Sequence, residues 1–284
     1  VVLPQELDWV QQPNAAWSPD GNQLAMPVRM GVFLFNLQTG AGRRAELPYS
    51  AVDLAWSPDG KLLALAEQER VHLLDAATLQ EVQLAVFSPV QVLGAGWNPT
   101  GNLLGVATAE GVVIYDPVLQ GIVARLPEAC RADVQTVHDA WSVDGSRLFC
   151  AGETITLWDV RSAQPVQQLK ADSRGVLGVA WNGDGAFLAL QRQGTVEVWD
   201  VALDQSKGVF AAQSMAWSPT RRFLMLAAPD GFQRWDVFLM SWQPGLGFLN
   251  GRRVLGISPD GASFLYVGAQ WVTISPTRRA ISYP

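Results

Sequence analysis

The chain has 284 residues, 49% of them apolar and 16% charged, with a net charge of −6. That length suits one large core or two modest ones, and that apolar content excludes a disordered chain. The acidic balance argues against a nucleic-acid partner, because phosphate neutralisation needs a basic surface, and no apolar run reaches the roughly 18 residues of a transmembrane segment.

An internal repeat organises the chain. Trp17, Trp56, Trp97, Trp141, Trp181, Trp217 and Ile257 recur at intervals of 39, 41, 44, 40, 36 and 40 residues. Seven residues after each stands Leu24, Leu63, Leu104, Leu148, Leu188, Leu224 or Phe264. Seventeen or eighteen after each stands Phe35, Leu74, Tyr115, Trp158, Trp199, Trp235 or Ile274. The next residue is Asn36, Asp75, Asp116, Asp159, Asp200, Asp236 or Ser275.

Taken in chain order, each unit reads as short strands joined by tight turns. Unit one turns at Ser18-Pro19-Asp20-Gly21 and carries Arg43 and Arg44 after its third strand. In unit two, Val52 to Trp56 is a first strand, Ser57-Pro58-Asp59-Gly60 a turn and Leu62 to Ala66 a second strand. Pro presets φ at the turn corner, Asp caps locally and Gly accepts positive φ. His72 falls in the alternating third strand of unit two and reads as an ordinary strand residue. Between units three and four the connection Pro127 to Asp139 lengthens the interval to 44; it holds Glu128, Arg131, Asp133 and His138. Unit four places Cys150 in a second strand, where a buried thiol is expected, and has a polar outer strand from Val166 to Lys170. Unit five runs Thr195-Val196-Glu197-Val198-Trp199 before Asp200. Unit six departs from the pattern twice: its first turn is Ser218-Pro219-Thr220-Arg221-Arg222, and Val237 to Trp242 follows its third strand. Unit seven has Ser258-Pro259-Asp260-Gly261 and ends with Arg278-Arg279.

Four strands in about 40 residues, repeated seven times, predict an all-β, seven-bladed β-propeller of four-stranded antiparallel blades, one domain over 1–284. Stacked blades bury faces that a lone four-stranded sheet leaves wet. Residues Arg279 to Tyr283 are expected to complete the last blade, with Val1 to Leu3 beside them. Trp158-Asp159, Trp199-Asp200 and Trp235-Asp236 resemble the Trp-Asp ending of the WD-repeat family. The Trp-Ser-Pro-Asp-Gly turns are similar to bacterial WD repeats and to TolB-type propeller repeats. No unit carries the Gly-His pair that opens the eukaryotic pattern, so the resemblance implies that the family's His-Asp-Ser/Thr-Trp network is mostly absent. Blade cohesion is then expected to rest more on apolar packing.

The inventory of reactive groups is short. Two Cys and two His exclude a disulfide-dense scaffold and a Cys-rich or multi-His metal centre. Cys130 and Cys150 pair only if their Cα atoms lie within about 7 Å. His138 reads as a loop or strand-edge histidine bonded to a neighbouring blade. The turn carboxylates Asp20, Asp59, Asp144, Asp184 and Asp260 sit one to a turn, too dispersed to give one calcium ion its six to eight oxygens. No catalytic, cofactor or metal site is expected, and the chain is read as not an enzyme. The expected function is a scaffold that docks a protein partner or multi-subunit assembly. The alternatives are a sensor or ligand-binding domain of a larger or extracytoplasmic TolB-like protein, and an enzyme using top-face loops near His138. The candidate docking surface combines Phe238, Leu239, Met240 and Trp242 with Arg221, Arg222, Arg278, Arg279, Arg43 and Arg44, on the bottom face of units six, seven and one. Arg and large aromatics are the types enriched at interface hot spots. Low cysteine content favours the cytoplasm, and the start at Val1 keeps an extracytoplasmic placement open.

Overall fold

The computed structural model describes residues 15–127, 130, 137–217, 223–228, 231–246, 253–257, 263–267 and 272–276. Every regular element among them is a strand. The chain divides into two compact units, Leu7–Arg174 and Gly175–Pro284 with Val1–Glu6.

The unit Leu7–Arg174 contains four sheets. The first is β1 (Ala16–Trp17), β2 (Gln23–Val28), β3 (Gly31–Asn36) and β4 (Gly42–Glu46). The second is β5 (Asp53–Trp56), β6 (Leu62–Glu67), β7 (Arg70–Asp75) and β8 (Glu81–Val86). The third is β9 (Val92–Trp97), β10 (Leu104–Thr108), β11 (Gly111–Asp116) and β12 (Gly121–Arg125). The fourth is β13 (Arg147–Ala151), β14 (Ile155–Asp159) and β15 (Gln164–Leu169), with Trp141 bridged singly to Leu148 where a first strand would lie. The other unit holds the fifth sheet, β16 (Gly178–Trp181), β17 (Phe187–Arg192), β18 (Thr195–Asp200) and β19 (Gln205–Ala211). Its sixth sheet is β20 (Ser214–Trp217), β21 (Phe223–Ala228), β22 (Gly231–Asp236) and β23 (Ser241–Leu246), and its seventh is β24 (Arg253–Ile257), β25 (Ser263–Val267) and β26 (Val272–Pro276). Every sheet is an antiparallel meander with sequential neighbours paired.

The sequence columns become cross-strand rows. Trp17 faces Leu24, Trp56 Leu63, Trp97 Leu104, Trp141 Leu148, Trp181 Leu188, Trp217 Leu224 and Ile257 Phe264. Those Leu residues in turn face Phe35, Leu74, Tyr115, Trp158, Trp199 and Trp235. Directly opposed residues project to the same side of a sheet, so each row is one apolar surface. The seventh sheet slips by one: Phe264 faces Ser275, and Ile274 faces Leu265.

Two turn devices fix these registers. In the first turn, the Ser18, Ser57 and Ser142 hydroxyls donate to Asp20, Asp59 and Asp144 (2.5, 2.7 and 2.6 Å) and accept the N–H five residues on. Asn98 and Asn182 replace Ser, and their amide oxygens accept the same N–H, from Leu103 and Phe187. The Gly of this turn has φ near +70°, as in Gly60 at 73°, which a Cβ would strain. In the turn after the third strand, the Asx carboxyl or amide oxygen caps the N–H groups two and three residues ahead, as Asp75 does for Ala77 and Thr78. The fourth residue after that Asx has positive φ in six sheets: Gly40, Leu79, Gln120, Ala163, Asp204 and Met240. The Asp of each Trp-Asp pair is therefore a turn cap.

Neighbouring sheets pack through these rows. Leu34, Leu54, Trp56, Leu63 and Leu65 form the core between the first and second sheets. Leu73, Trp97, Val106 and Tyr115 belong to the core of the second and third, and Val198, Leu224, Leu226 and Trp235 to that of the fifth and sixth. Polar bonds also cross between sheets. The indole N–H of Trp56 donates to the Ala16 carbonyl (3.0 Å), that of Trp141 to Gly96 (3.1 Å) and that of Trp217 to Ala180 (3.0 Å). In each case the acceptor directly precedes the corresponding anchor Trp of the preceding sheet. Apolar packing is thus supplemented by a repeated indole-to-backbone bond.

Candidate functional site

The turn of the sixth sheet is built from Asp236, whose carboxylate accepts from the N–H groups of Phe238 (3.0 Å) and Leu239 (3.1 Å). Val237 is buried beneath it and Met240 takes the positive-φ position at 47°. This fixed backbone presents Phe238 and Leu239 to solvent at 57% and 62% exposure, with Met240 also exposed. Trp242 is the second residue of β23, pairs with Trp235, and lies edge-on against Phe210 with ring centroids 5.1 Å apart. Phe210 itself packs on Trp235 at 5.0 Å. Trp242 is therefore a half-buried support of the corner.

The third sheet has a similar corner. Asp116 caps Val118 and Leu119, which are 85% and 77% exposed. Sequence reading singled out unit six because its run is longer and aromatic, and it missed that Pro117-Val118-Leu119 occupies the same turn. The aligned Asx column was the signal that would have found it.

The arginines do not form one set. Arg221, Arg222, Arg278 and Arg279 lie outside the described residues, as do the terminal segments expected to complete the last blade. Arg43 and Arg44 are not in a turn, as expected, but in strand β4, where neighbours point to opposite faces. Arg43 donates to the Ala77 and Ala76 carbonyls (2.6 and 3.2 Å), and Arg44 to Arg29 (3.1 Å) in its own sheet. Arg43 also lines two open clefts of about 490 and 560 Å3 beside β4.

The two histidines are both more engaged than a strand or loop residue needs to be. His72 is buried, with Nδ1 on Glu81, Nε2 on Glu67 at 3.2 Å, and the Tyr49 ring stacked at 3.8 Å. These partners were not legible beforehand, because Glu67 and Glu81 flank His72 from two different strands. His138 bonds not the neighbouring third sheet, as expected, but the second: its Nε2 is 2.7 Å from the fully buried Asp53 carboxylate, which also accepts the Ala95 N–H of the third. Burial pulls the imidazole pKa down, but the charge and hydrogen bond of Asp53, with the charge of Asp139, outweigh it and hold the pKa above 6.5. Cys150 is not the free buried thiol expected. It is joined to Cys130 in a disulfide with Cα atoms 4.6 Å apart. Among the described residues no group of three or more His, Cys, Asp or Glu is disposed to hold a metal ion. No helix there is long and apolar enough to cross a membrane.

The family model described as WD domain, G-beta repeat matches residues 163–200, from the turn before β15 to the Asp that ends β18. Over 98% of this chain and 91% of the other, the fold superposes with a TM-score of 0.80 on a chain of the "Crystal Structure of Mitotic Checkpoint Complex", at 19% identity. The chain thus carries one unit similar to the WD repeat and shares the fold of that solved chain over nearly its whole length. Sequence similarity also extends to Meiotic fizzy-related protein 2 of Schizosaccharomyces pombe, 27% identical over 99 residues that cover 32% of this chain and 19% of that protein. Coronin-7 of Mus musculus is 35% identical over 72 residues, 25% of this chain and 8% of its own length. The matched stretches thus span a fifth or less of those relatives. Here the Trp-Asp ending is present and acts as a turn cap, while indole-to-carbonyl bonds link neighbouring sheets.

Proposed function

We propose that this chain is a non-catalytic protein-interaction platform, one seven-bladed domain over 1–284 that docks a protein partner or larger assembly through the corner of its sixth blade. The observation carrying this reading is the exposure of Phe238, Leu239 and Met240 on a backbone capped by Asp236. Ordering this corner on binding costs little, since its backbone is already fixed, and a preorganised apolar anchor retains more of its burial energy as affinity. Arg221, Arg222, Arg278 and Arg279 would serve as a rim, steering an acidic partner and changing its association rate more than its dissociation rate. The disulfide weighs more than the cysteine count for compartment, so the extracytoplasmic placement is the one proposed.

The test is affinity capture with the tagged chain, comparing Phe238→Ala with Trp242→Ala against Val118→Ser with Leu119→Ser. Loss of the main partner with the first pair, in protein of unchanged fold, supports the sixth-blade corner. Loss with only the second pair moves the docking surface to the third blade.

A further inference from the structure

Strand β4 carries an arginine whose charge no described residue neutralises. Leu34, directly opposite Arg43 on β3, is buried in the core shared with the second sheet, so the Arg43 side chain also projects toward that sheet. There it donates to the carbonyls of Ala77 and Ala76, in the turn after β7. A guanidinium has five N–H groups, and those of Arg43 make no other hydrogen bond and no ion pair among the described residues. Arg43 is also exposed. Two neutral carbonyls thus fix its orientation and leave its charge intact. A fork held in this way accepts a carboxylate with little further ordering, and a charge-assisted pair of bonds is the strongest contact it can make.

The surroundings define what brings that carboxylate. Strands β4 and β8 are the outermost of the first and second sheets, and the space between them is an open groove. Arg43 lines both of its clefts; one continues to Gln23, Asn36 and Thr39, the other to Leu47 and Tyr49. The Tyr49 ring stacks on His72, and Leu84, directly opposite His72, lies on the same side of the second sheet with 42% exposure. Val86, two residues on along β8, is exposed on that side too. Glu46 and Glu81 also line the larger cleft and repel a second acid. An open groove along a strand leaves a small anion mostly in water, whereas an extended chain fills it and covers the apolar wall.

We propose that the groove between β4 and β8 binds an extended segment of a partner protein, with one Asp or Glu of that segment on the Arg43 guanidinium and apolar neighbours against Tyr49 and Leu84.

The probe is a displayed library of random linear peptides, selected on the full chain as wild type, Arg43→Glu, Leu84→Asp and Phe238→Ala. Wild type is expected to enrich one motif, an Asp or Glu flanked by apolar residues. Phe238→Ala, which alters the sixth-sheet corner, is expected to enrich the same motif. Arg43→Glu is expected to enrich it with Lys or Arg in the acidic place. A synthetic peptide of the wild-type motif, followed by fluorescence anisotropy, is expected to bind Arg43→Gln and Leu84→Asp about 10-fold or more weakly than wild type. Leu84 takes no part in the Arg43–carbonyl bonds, so its variant decides the matter if Arg43→Glu fails to fold. A wild-type selection with no acid-bearing motif overturns the proposal. So does the unaltered motif on folded Arg43→Glu, loss of the motif on Phe238→Ala, or equal affinity of Leu84→Asp and wild type.

Discussion

Replacing each anchor tryptophan with phenylalanine separates the indole hydrogen bond from the packing around it. Trp56, Trp97 and Trp141 are all buried at equivalent places in successive sheets, and each change removes a similar part of the ring. Trp56 and Trp141 donate to Ala16 and Gly96, whereas the Trp97 N–H is buried with no acceptor among the described residues. A made hydrogen bond contributes about 1 kcal/mol net, while an unsatisfied buried donor costs about 1–3 kcal/mol that its removal recovers. Trp56→Phe and Trp141→Phe are therefore expected to destabilise by about 2–4 kcal/mol more than Trp97→Phe. Urea unfolding followed by far-UV circular dichroism measures the difference as a midpoint shift at constant slope. Equal midpoints for the three variants would refute the account of inter-blade bonding, because packing alone would then explain all three.

Ala163→Gly should stabilise by roughly 0.5–1 kcal/mol by relieving a side chain at φ 53°, whereas Leu79→Gly should destabilise, since Leu79 is packed in the core between the first two sheets; thermal melts distinguish the two. Trp97→Ala should cost about 3–5 kcal/mol, and Trp242→Ala clearly less, because Trp242 is 48% exposed; equal losses in denaturant would place Trp242 in the core. The first-turn carboxylates Asp20, Asp59 and Asp144 are held below 3.8 by a serine hydroxyl and then by the N–H two residues on. Their contribution is complete above the unfolded value and is lost as pH falls through the folded one, so Asp59→Asn should flatten the acid limb of a stability–pH curve below about pH 4. His138→Gln should flatten the opposite, alkaline limb above pH 6.5, read in the same titration.

The architecture was legible because a sheet's register is carried by residues of fixed spacing. Trp56, Leu63 and Leu74 sit seven and eleven residues apart in sequence and side by side across β5, β6 and β7. The turns were legible for the same local reason: Ser57, Asp59 and Gly60 complete their hydrogen bonds within five residues. The seventh row was misread by one position, since Phe264 faces Ser275 there and not Ile274. Long-range pairings were not legible. Nothing near Cys130 or Cys150 signals that the two are paired, and nothing near His138 points to Asp53, 85 residues earlier. The exposed corner was half legible: Phe238 and Leu239 stood out as apolar in a turn, but the support of Trp242 by Phe210 depends on how two sheets meet. Arg43 and Arg44 were read as neighbours of one surface, although strand alternation sends them apart.

The central claim, that the sixth-blade corner docks a protein partner, is tested most directly by a photo-crosslinking residue placed at Leu239 in the full chain inside its native cells. The same residue at Val118 and at Val82, an exposed position on β8, provides the comparison. The expected result is one dominant adduct of defined mass from position 239, lost when Phe238 is changed to Ala and absent from position 82. Adducts from position 118 alone, or equal and heterogeneous adducts from all three positions, would contradict it.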